Sequence, residues 1–446
     1  MNLTNSPLPL KSLPLPEWQF ILSGIAAIVL IRLVVILLTP STGDFSDPRI
    51  YQGTGQTVLA GINPYDFADK VELRARLRDR MAREQPDGPN DIFTRSQESW
   101  NYYVSGNLPA STALYALFEV LSRGSRTGWR LLFILGDVAI FLGLIALLRS
   151  LHGRVESVPL QLGVLCLAVI NPLLIVDGCA IPEDKQFQTA LMLYLTALLC
   201  ARGRIGDYKA LGTGVILSLS VLFKLFGVFL IPLWSVRAKK EGCRYTILSL
   251  LGAIVPVLIA FAFFGHYFVN TILDRGMQNS VQGPEHSSLW ALFPQFVGRS
   301  IALEGRAVTS ASSYVLIKAS VTSLYALAAF TAFVRRRIDL LNLCAALTLA
   351  FTCLWLDKGS LNRMNIAMVF AVATVASLSV QIFVWLAVGY VLVGTLGYVI
   401  GILVLRLHLT TLDGIVTLLF LTAYLTTLLT FDPCRPRAPG STVRQI

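Results

Sequence analysis

The chain has 446 residues, of which 54% are hydrophobic and only 14% charged. Soluble domains carry roughly 25% charged residues, so this composition excludes an ordinary water-soluble multidomain protein and sets much of the surface against lipid. The net charge of +11 does not mark a nucleic-acid partner. The basic residues fall in short clusters between apolar runs, as the positive-inside rule requires: 149–154, 202–209, 237–244, 335–337 and 435–444. The seven cysteines are scattered, with no CxxC and no His/Cys pair at zinc spacing. Neither a disulfide framework nor a structural metal is expected, and no cofactor is implied.

Residues 1–16 hold one lysine and four prolines and are followed by an apolar run from Trp18 to Leu38. The run is long enough to span and lacks a small-residue cleavage site, so it reads as a signal-anchor helix. A span needs about 20 mostly apolar residues. The candidates are 18–39, 128–148, 158–175, 187–201, 209–236, 245–265, 312–334, 339–356, 364–380, 382–404 and 410–430.

Between the first two lies a polar stretch, 40–107, with about ten acidic and eight basic residues. Long loops of this kind translocate regardless of charge. Within it, Leu73, Leu77 and Met81 recur every four residues among alternating charges, the pattern of an interfacial or a solvated surface helix over 68–84. Segment 108–122 is apolar but short; it lies flat, dips in or packs on the bundle.

With a cytoplasmic N-terminus, the loops 40–127 and 176–186 lie outside and the 149–154 and 202–209 clusters inside. Segment 209–236 then decides the topology. As one span it puts the 237–244 cluster outside. As two half-helices meeting near Lys224 it returns every basic cluster to the cytoplasm. Broken helices are tolerated in membranes only where they line a cavity or are buried in protein. The expected fold is all-α, a single bundle of about twelve transmembrane helices with juxtamembrane helices in the first outer loop. Residues 1–240 form an N-terminal catalytic module and 241–446 a C-terminal one that completes the cavity.

Ionisable groups in or beside spans are costly and tend to be functional. Asp44, Asp47, Glu183, Asp184, Lys224, His286, Lys358 and Arg363 all map to the outer side. Each has a plainer reading. Asp44 and Asp47 suit a helix N-cap, tyrosines suit an interfacial belt, and Lys224 suits snorkelling to the head-groups. Arg32 and Asp137 lie at matching depths, roughly 10–13 Å below the outer ends of their helices, and are expected to form a buried ion pair. Reversing both charges is the direct test.

Residues 42–67, TGDFSDPRIYQGTGQTVLAGINPYDF, resemble the GT-C glycosyltransferases, multi-span enzymes that take sugars from polyprenyl-phosphate carriers. An acidic residue after the first span, an aromatic four residues on and a Gly-x-x-Pro-Tyr ten residues later carry the likeness, at Asp47, Tyr51, Gly61, Pro64 and Tyr65. It is strongest to the GPI-anchor mannosyltransferase and to bacterial polyprenyl-phosphate-mannose-dependent transferases. Matches follow in order at Tyr103 to Ala110, at Gly128 to Phe133 with Asp137, at Asn171 to Gly178, at Asp184 to Gln188, and at Phe223-Lys224 with Pro232. The likeness covers about residues 20–235. It departs in the two-residue gap between Asp44 and Asp47 and in a degraded tyrosine-proline loop.

The resemblance implies a glycosyltransferase of the non-cytoplasmic face in a bacterial inner membrane. Asp44 or Asp47 is then the general base. Lys224, Lys358, Arg363 and His286 hold the donor phosphate. Tyr51, Tyr65, Tyr103, Glu183, Asp184, Gln186 and Gln188 contact sugar or acceptor. Its partners are a polyprenyl-phosphate sugar, a lipid or glycan acceptor and membrane lipid. The competing readings are a secondary transporter or flippase, a glycan polymerase or ligase, and an inactive scaffold. A transporter needs its polar residues at the midplane, whereas a transferase needs them near the outer surface.

Overall fold

A computed structural model of the chain describes residues 14–39, 46–66, 107–180, 182–201, 203–272 and 364–396, with isolated positions between 323 and 334. All regular structure among them is helical: α1 (Glu17–Leu38), α2 (Ser46–Leu59), α3 (Pro109–Ser122), α4 (Arg126–His152), α5 (Val158–Ala180), α6 (Lys185–Cys200), α7 (Asp207–Phe223), α8 (Ile231–Glu241), α9 (Cys243–Phe264), α10 (Met364–Leu378) and α11 (Val380–Gly394). Four of these, α1, α4, α5 and α9, are long and apolar enough to cross a membrane. The chain is an integral membrane protein.

Local chemistry sets the helix ends. Ser125 caps α4 by accepting from Gly128 N at 3.2 Å, and Gly153, at φ +89°, ends it after Arg149 and His152. Pro109 occupies the first turn of α3, where its missing N–H costs nothing. α5 runs on through π turns at Leu165–Val169 and Val176–Ala180. The outer loop expected from residue 176 therefore begins only after Ala180.

Residue contacts fix the direction of each helix. Glu17 pairs with Arg149 at 2.5 Å while Arg130 donates to Thr39 O at 2.9 Å, so α1 and α4 are antiparallel. Gln161 reaches Leu15 O, and Arg130 reaches Cys179 O, so α5 returns alongside α1. Gly136 packs on Gln186 and Gly143 on Leu193, which makes α6 parallel to α4. α7 climbs back, bringing Ser220 to Gln188. At Lys224 the backbone turns extended (φ −151°, ψ 144°), a 3-10 turn follows over Leu225–Leu230, and α8 descends until Arg237 donates to Ala201 O and Gly203 O. Both ends of 207–241 thus lie at the same end of the bundle, the two half-helices read from the charge pattern. α9 climbs beside α7, with Arg244 on Asp207 at its foot and Ala260 against Leu222 near its top.

The result is a bundle with two chemically distinct ends. One carries Glu17, Arg149, Arg154, Lys209, Arg237, Lys239, Lys240 and Arg244; the other carries Arg130, Glu183, Asp184, Lys185 and Lys224. α4 and α5 form the interior, while α1 and α9 turn leucines such as Leu22, Leu37, Leu251 and Leu258 outward, as lipid contact demands. A single apolar core runs from Phe20 and Phe141 through Leu173 and Leu193 to Phe370 and Phe383, so α10 and α11 share it with the N-terminal helices.

α7 and α9 cross where Gly214 meets Ser249 O and Gly252 meets Leu211 O. No Cβ fits at either glycine. Gly214→Ala is expected to cost about 1–3 kcal/mol through overpacking. Gly212→Ala, where a Cβ meets nothing within 4 Å, is expected to be neutral or to raise the apparent Tm slightly. Thermal unfolding of both variants in detergent checks this; equal losses would refute the packing argument.

α3 packs on the bundle end. It buries Tyr115 and Phe118 and turns Leu117, Val120 and Leu121 outward. α2 lies against it so closely that a Cβ on Gly55 would come within 2.5 Å of Tyr115 O.

Candidate functional site

The N-terminus of α6, the break at Lys224, and the short helices α2 and α3 meet at the less basic end. Asp184, fully buried, is the hub. Its Oδ1 accepts from Lys224 Nζ and, at 3.2 Å, from the Tyr51 hydroxyl; its Oδ2 accepts from the Tyr115 hydroxyl. Tyr51 also donates to Glu183 Oε2 at 3.1 Å, and Lys185 Nζ lies 2.8 Å from the same oxygen. Two carboxylates and two ammonium groups thus offset each other locally. Burial, reinforced by the Asp184 charge, holds the Tyr115 phenol well above its usual range. Tyr115 therefore remains a donor at any working pH.

The turn at Lys224 follows from its neighbours. Gly227 packs against Ser220 and Val221, where a Cβ would clash, so the 3-10 turn can fold back on α7. Lys224 N is held by Ser220 O at 3.3 Å. The lysine side chain is 24% exposed, while its partner is fully covered.

Two of the tyrosines expected to contact sugar, Tyr51 and Tyr65, lie in the protein interior. Tyr51 is 4% exposed and stacks on Tyr115, centroids 4.7 Å apart. Tyr65 buries its ring against Phe264 and Phe268 and donates to Asn107 O at 2.7 Å. The surrounding Gly-Ile-Asn-Pro-Tyr turn has a structural job: Gly61 takes φ +75°, and Asn63 donates to Phe264 O, closing the end of α9. Gln186 and Gln188 are likewise fully buried, donating to Leu174 O at 3.0 Å and to Ser220 Oγ at 2.9 Å. Glu183, Asp184, Gln186 and Gln188 therefore have protein partners where sugar hydroxyls were expected.

Arg32 and Asp137 are brought together, Nε to Oδ2 at 2.7 Å, both fully buried. Arg32 also donates to Val169 O at 2.5 Å and to Ala168 O at 3.0 Å. Pro172 has no N–H for Ala168 O, and Leu173 N is taken by the Asn171 side chain. The guanidinium thus serves two carbonyls that the Asn-Pro break leaves without helical partners.

Asp47 lies in the first turn of α2, one helical turn before Tyr51. Asp44, Tyr103, His286, Lys358, Arg363 and the 68–84 helix lie outside the described residues, as do the spans expected over 339–356 and 410–430. Three contributors escaped the sequence reading: Tyr115, Arg130 and Asn365. Tyr115 was detectable, because Ser111, Thr112, Tyr115 and Glu119 share one face of an otherwise apolar helix. Asn365 becomes significant only through its contact with Asp177, 188 positions away.

No family model and no curated protein matches the chain. Among solved structures, it is similar to the Archaeoglobus fulgidus oligosaccharyltransferase, crystallised tethered with an acceptor peptide containing the NVT sequon. The identity is 13% and the TM-score 0.40, over 92% of this chain and 54% of that one. The chain therefore spans about half the length of that structure.

Proposed function

We propose that the chain is a membrane glycosyltransferase that moves a hexose, mannose by resemblance, from a polyprenyl-phosphate carrier to a lipid-linked or glycan acceptor on the non-cytoplasmic face. One observation carries the reading: Tyr51 of α2, residues 183–185 and Lys224 converge at the end opposite the basic clusters. By the positive-inside rule that end faces the periplasm or exterior of a bacterial inner membrane. Depth argues against a carrier. α7 has 17 residues, about 25 Å at 1.5 Å each, so Lys224 sits near the far boundary of a hydrocarbon core of about 30 Å. A carrier would place it at the midplane.

In the proposed reaction a carboxylate, Asp44 or Asp47, takes the proton of the acceptor hydroxyl. The hydroxyl oxygen attacks the anomeric carbon. The bond from that carbon to the phosphate oxygen breaks, and the phosphate leaves with its electron pair. Lys224, with Lys358, Arg363 or His286, offsets the charge on the leaving group. Glu183, Asp184, Tyr51 and Tyr115 hold Lys224 in place.

Purified protein given a panel of polyprenyl-phosphate sugars and membrane lipid extract is expected to consume one donor. Asp44→Asn or Asp47→Asn is expected to lower that rate by roughly 10²–10⁴-fold. Equal rates in wild type and both variants would remove the base assignment. Intact donors throughout, with flux in liposomes, would replace the reading with a transporter.

A further inference from the structure

We propose that Arg130 is a positioning residue for the transfer reaction, fixing the start of the 40–47 segment, which carries Asp44 and Asp47, relative to the Glu183–Asp184–Lys224 cluster. The inference rests on the glycosyl-transfer reading and assigns one more residue to it. Arg130 lies one turn into α4 and is 6% exposed. Its Nε donates to Cys179 O at 2.6 Å. One terminal nitrogen donates to Thr39 O at 2.9 Å and to Ile36 O at 3.4 Å, and the other to the Thr39 hydroxyl. These acceptors belong to the ends of two helices, α1 and α5. The last carbonyls of a helix have no partner within it and carry the negative end of its dipole. One guanidinium thus ties two helix C-termini together, and they in turn offset its charge.

From each tied end the chain leads into the site. Beyond α5, Glu183 N donates to Asp177 O at 2.8 Å, so the turn bearing Glu183 and Asp184 is folded onto the helix end that Arg130 holds. Beyond Thr39, residues 40–45 lead to α2, whose Tyr51 is bound to Glu183 and Asp184. This link is therefore anchored to one frame at both ends, through Arg130 at Thr39 and through Tyr51 on α2. Asp44 belongs to the link, and Asp47 to the first turn of α2. Without Arg130 the α1 side of the link loses its anchor. A general base must come within about 3 Å of the proton it takes, and a misplacement of about 1 Å can cost on the order of 10²-fold in rate. Arg130 can thus govern the rate without touching either substrate. A lysine, with no planar fork, cannot serve both helix ends at once.

The test uses the full chain in detergent with the polyprenyl-phosphate sugar that wild type consumes. Arg130→Lys is expected to lower kcat by roughly 10–100-fold and to leave the donor KM within about threefold, because Lys224 keeps its own partners. Hydrogen exchange in the last turn of α1 is expected to speed up roughly tenfold. Thr39→Val removes one acceptor only and is expected to show the same split at smaller size, about threefold in kcat; it decides the matter if Arg130→Lys does not fold. Faster exchange in α1 with wild-type kcat would overturn the proposal and leave Arg130 a helix clamp. A donor KM raised as much as kcat is lowered would overturn it in favour of direct donor contact. Turnover lost in Asp44→Asn or Asp47→Asn but unchanged in Arg130→Lys would keep the glycosyl-transfer reading and remove this role alone. A wild type that consumes no donor would remove both.

Discussion

Asp184→Ala is expected to be among the most destabilising single substitutions in the chain, by about 3–5 kcal/mol. It strands the Lys224 ammonium and leaves the Tyr115 hydroxyl without its carboxylate acceptor, while Tyr51 keeps Glu183 alone. Lys224→Met is expected to be costly for the converse reason, a carboxylate at 0% exposure left without its cation. The double variant Asp184→Leu/Lys224→Met removes both charges and should recover much of the loss, because desolvation offsets a large part of a buried pair's attraction. Apparent Tm values in detergent for the two single variants and the double give the coupling. Additive losses would show that the two side chains act independently.

Arg32→Lys should also destabilise the protein by several kcal/mol, although it keeps the charge. A lysine can reach Asp137 but cannot also serve Ala168 O and Val169 O with a planar fork. For the same reason the reversed pair, Arg32→Asp/Asp137→Arg, is expected not to rescue stability. An aspartate at position 32 offers no donor to those carbonyls, so charge reversal alone is not a fair test of the pair. Pro172→Ala provides the sharper measurement. It restores an N–H in register with Ala168 O and should lessen the cost of Arg32→Lys. Recovery by charge reversal, or no effect of Pro172→Ala in the Arg32→Lys background, would show that the carbonyl contacts carry little energy.

Much of the helical frame was legible beforehand. Apolar run length marked α1, α4, α5 and α9, because a lipid-facing helix must be apolar on most sides and long enough to cross. The distribution of arginine and lysine marked the turn at Lys224, because basic residues resist translocation and so record which helix ends share a side. The start of the loop after α5 was misplaced because π turns at 165–169 and 176–180 carry a helix past Asp177, and nothing in hydropathy reveals a change in hydrogen-bond register.

The site was legible only as a set of residue types. Charge in an apolar context singled out Lys224, Asp184, Arg32 and Asp137, since a charge is rarely retained there without a partner or a task. Hydropathy and spacing by themselves therefore determined that this is a helical membrane protein with its charged residues sorted between two ends. Which group each charge faces was decided by tertiary structure alone. Tyr51 was a candidate sugar platform until α3 set Tyr115 against its ring, and Asn365 carried no signal until α10, packed on α6, set it against Asp177. Hydrogen-bond partners are chosen by helix crossings that bring distant positions within about 3 Å, and a one-dimensional pattern of polarity holds no record of those crossings.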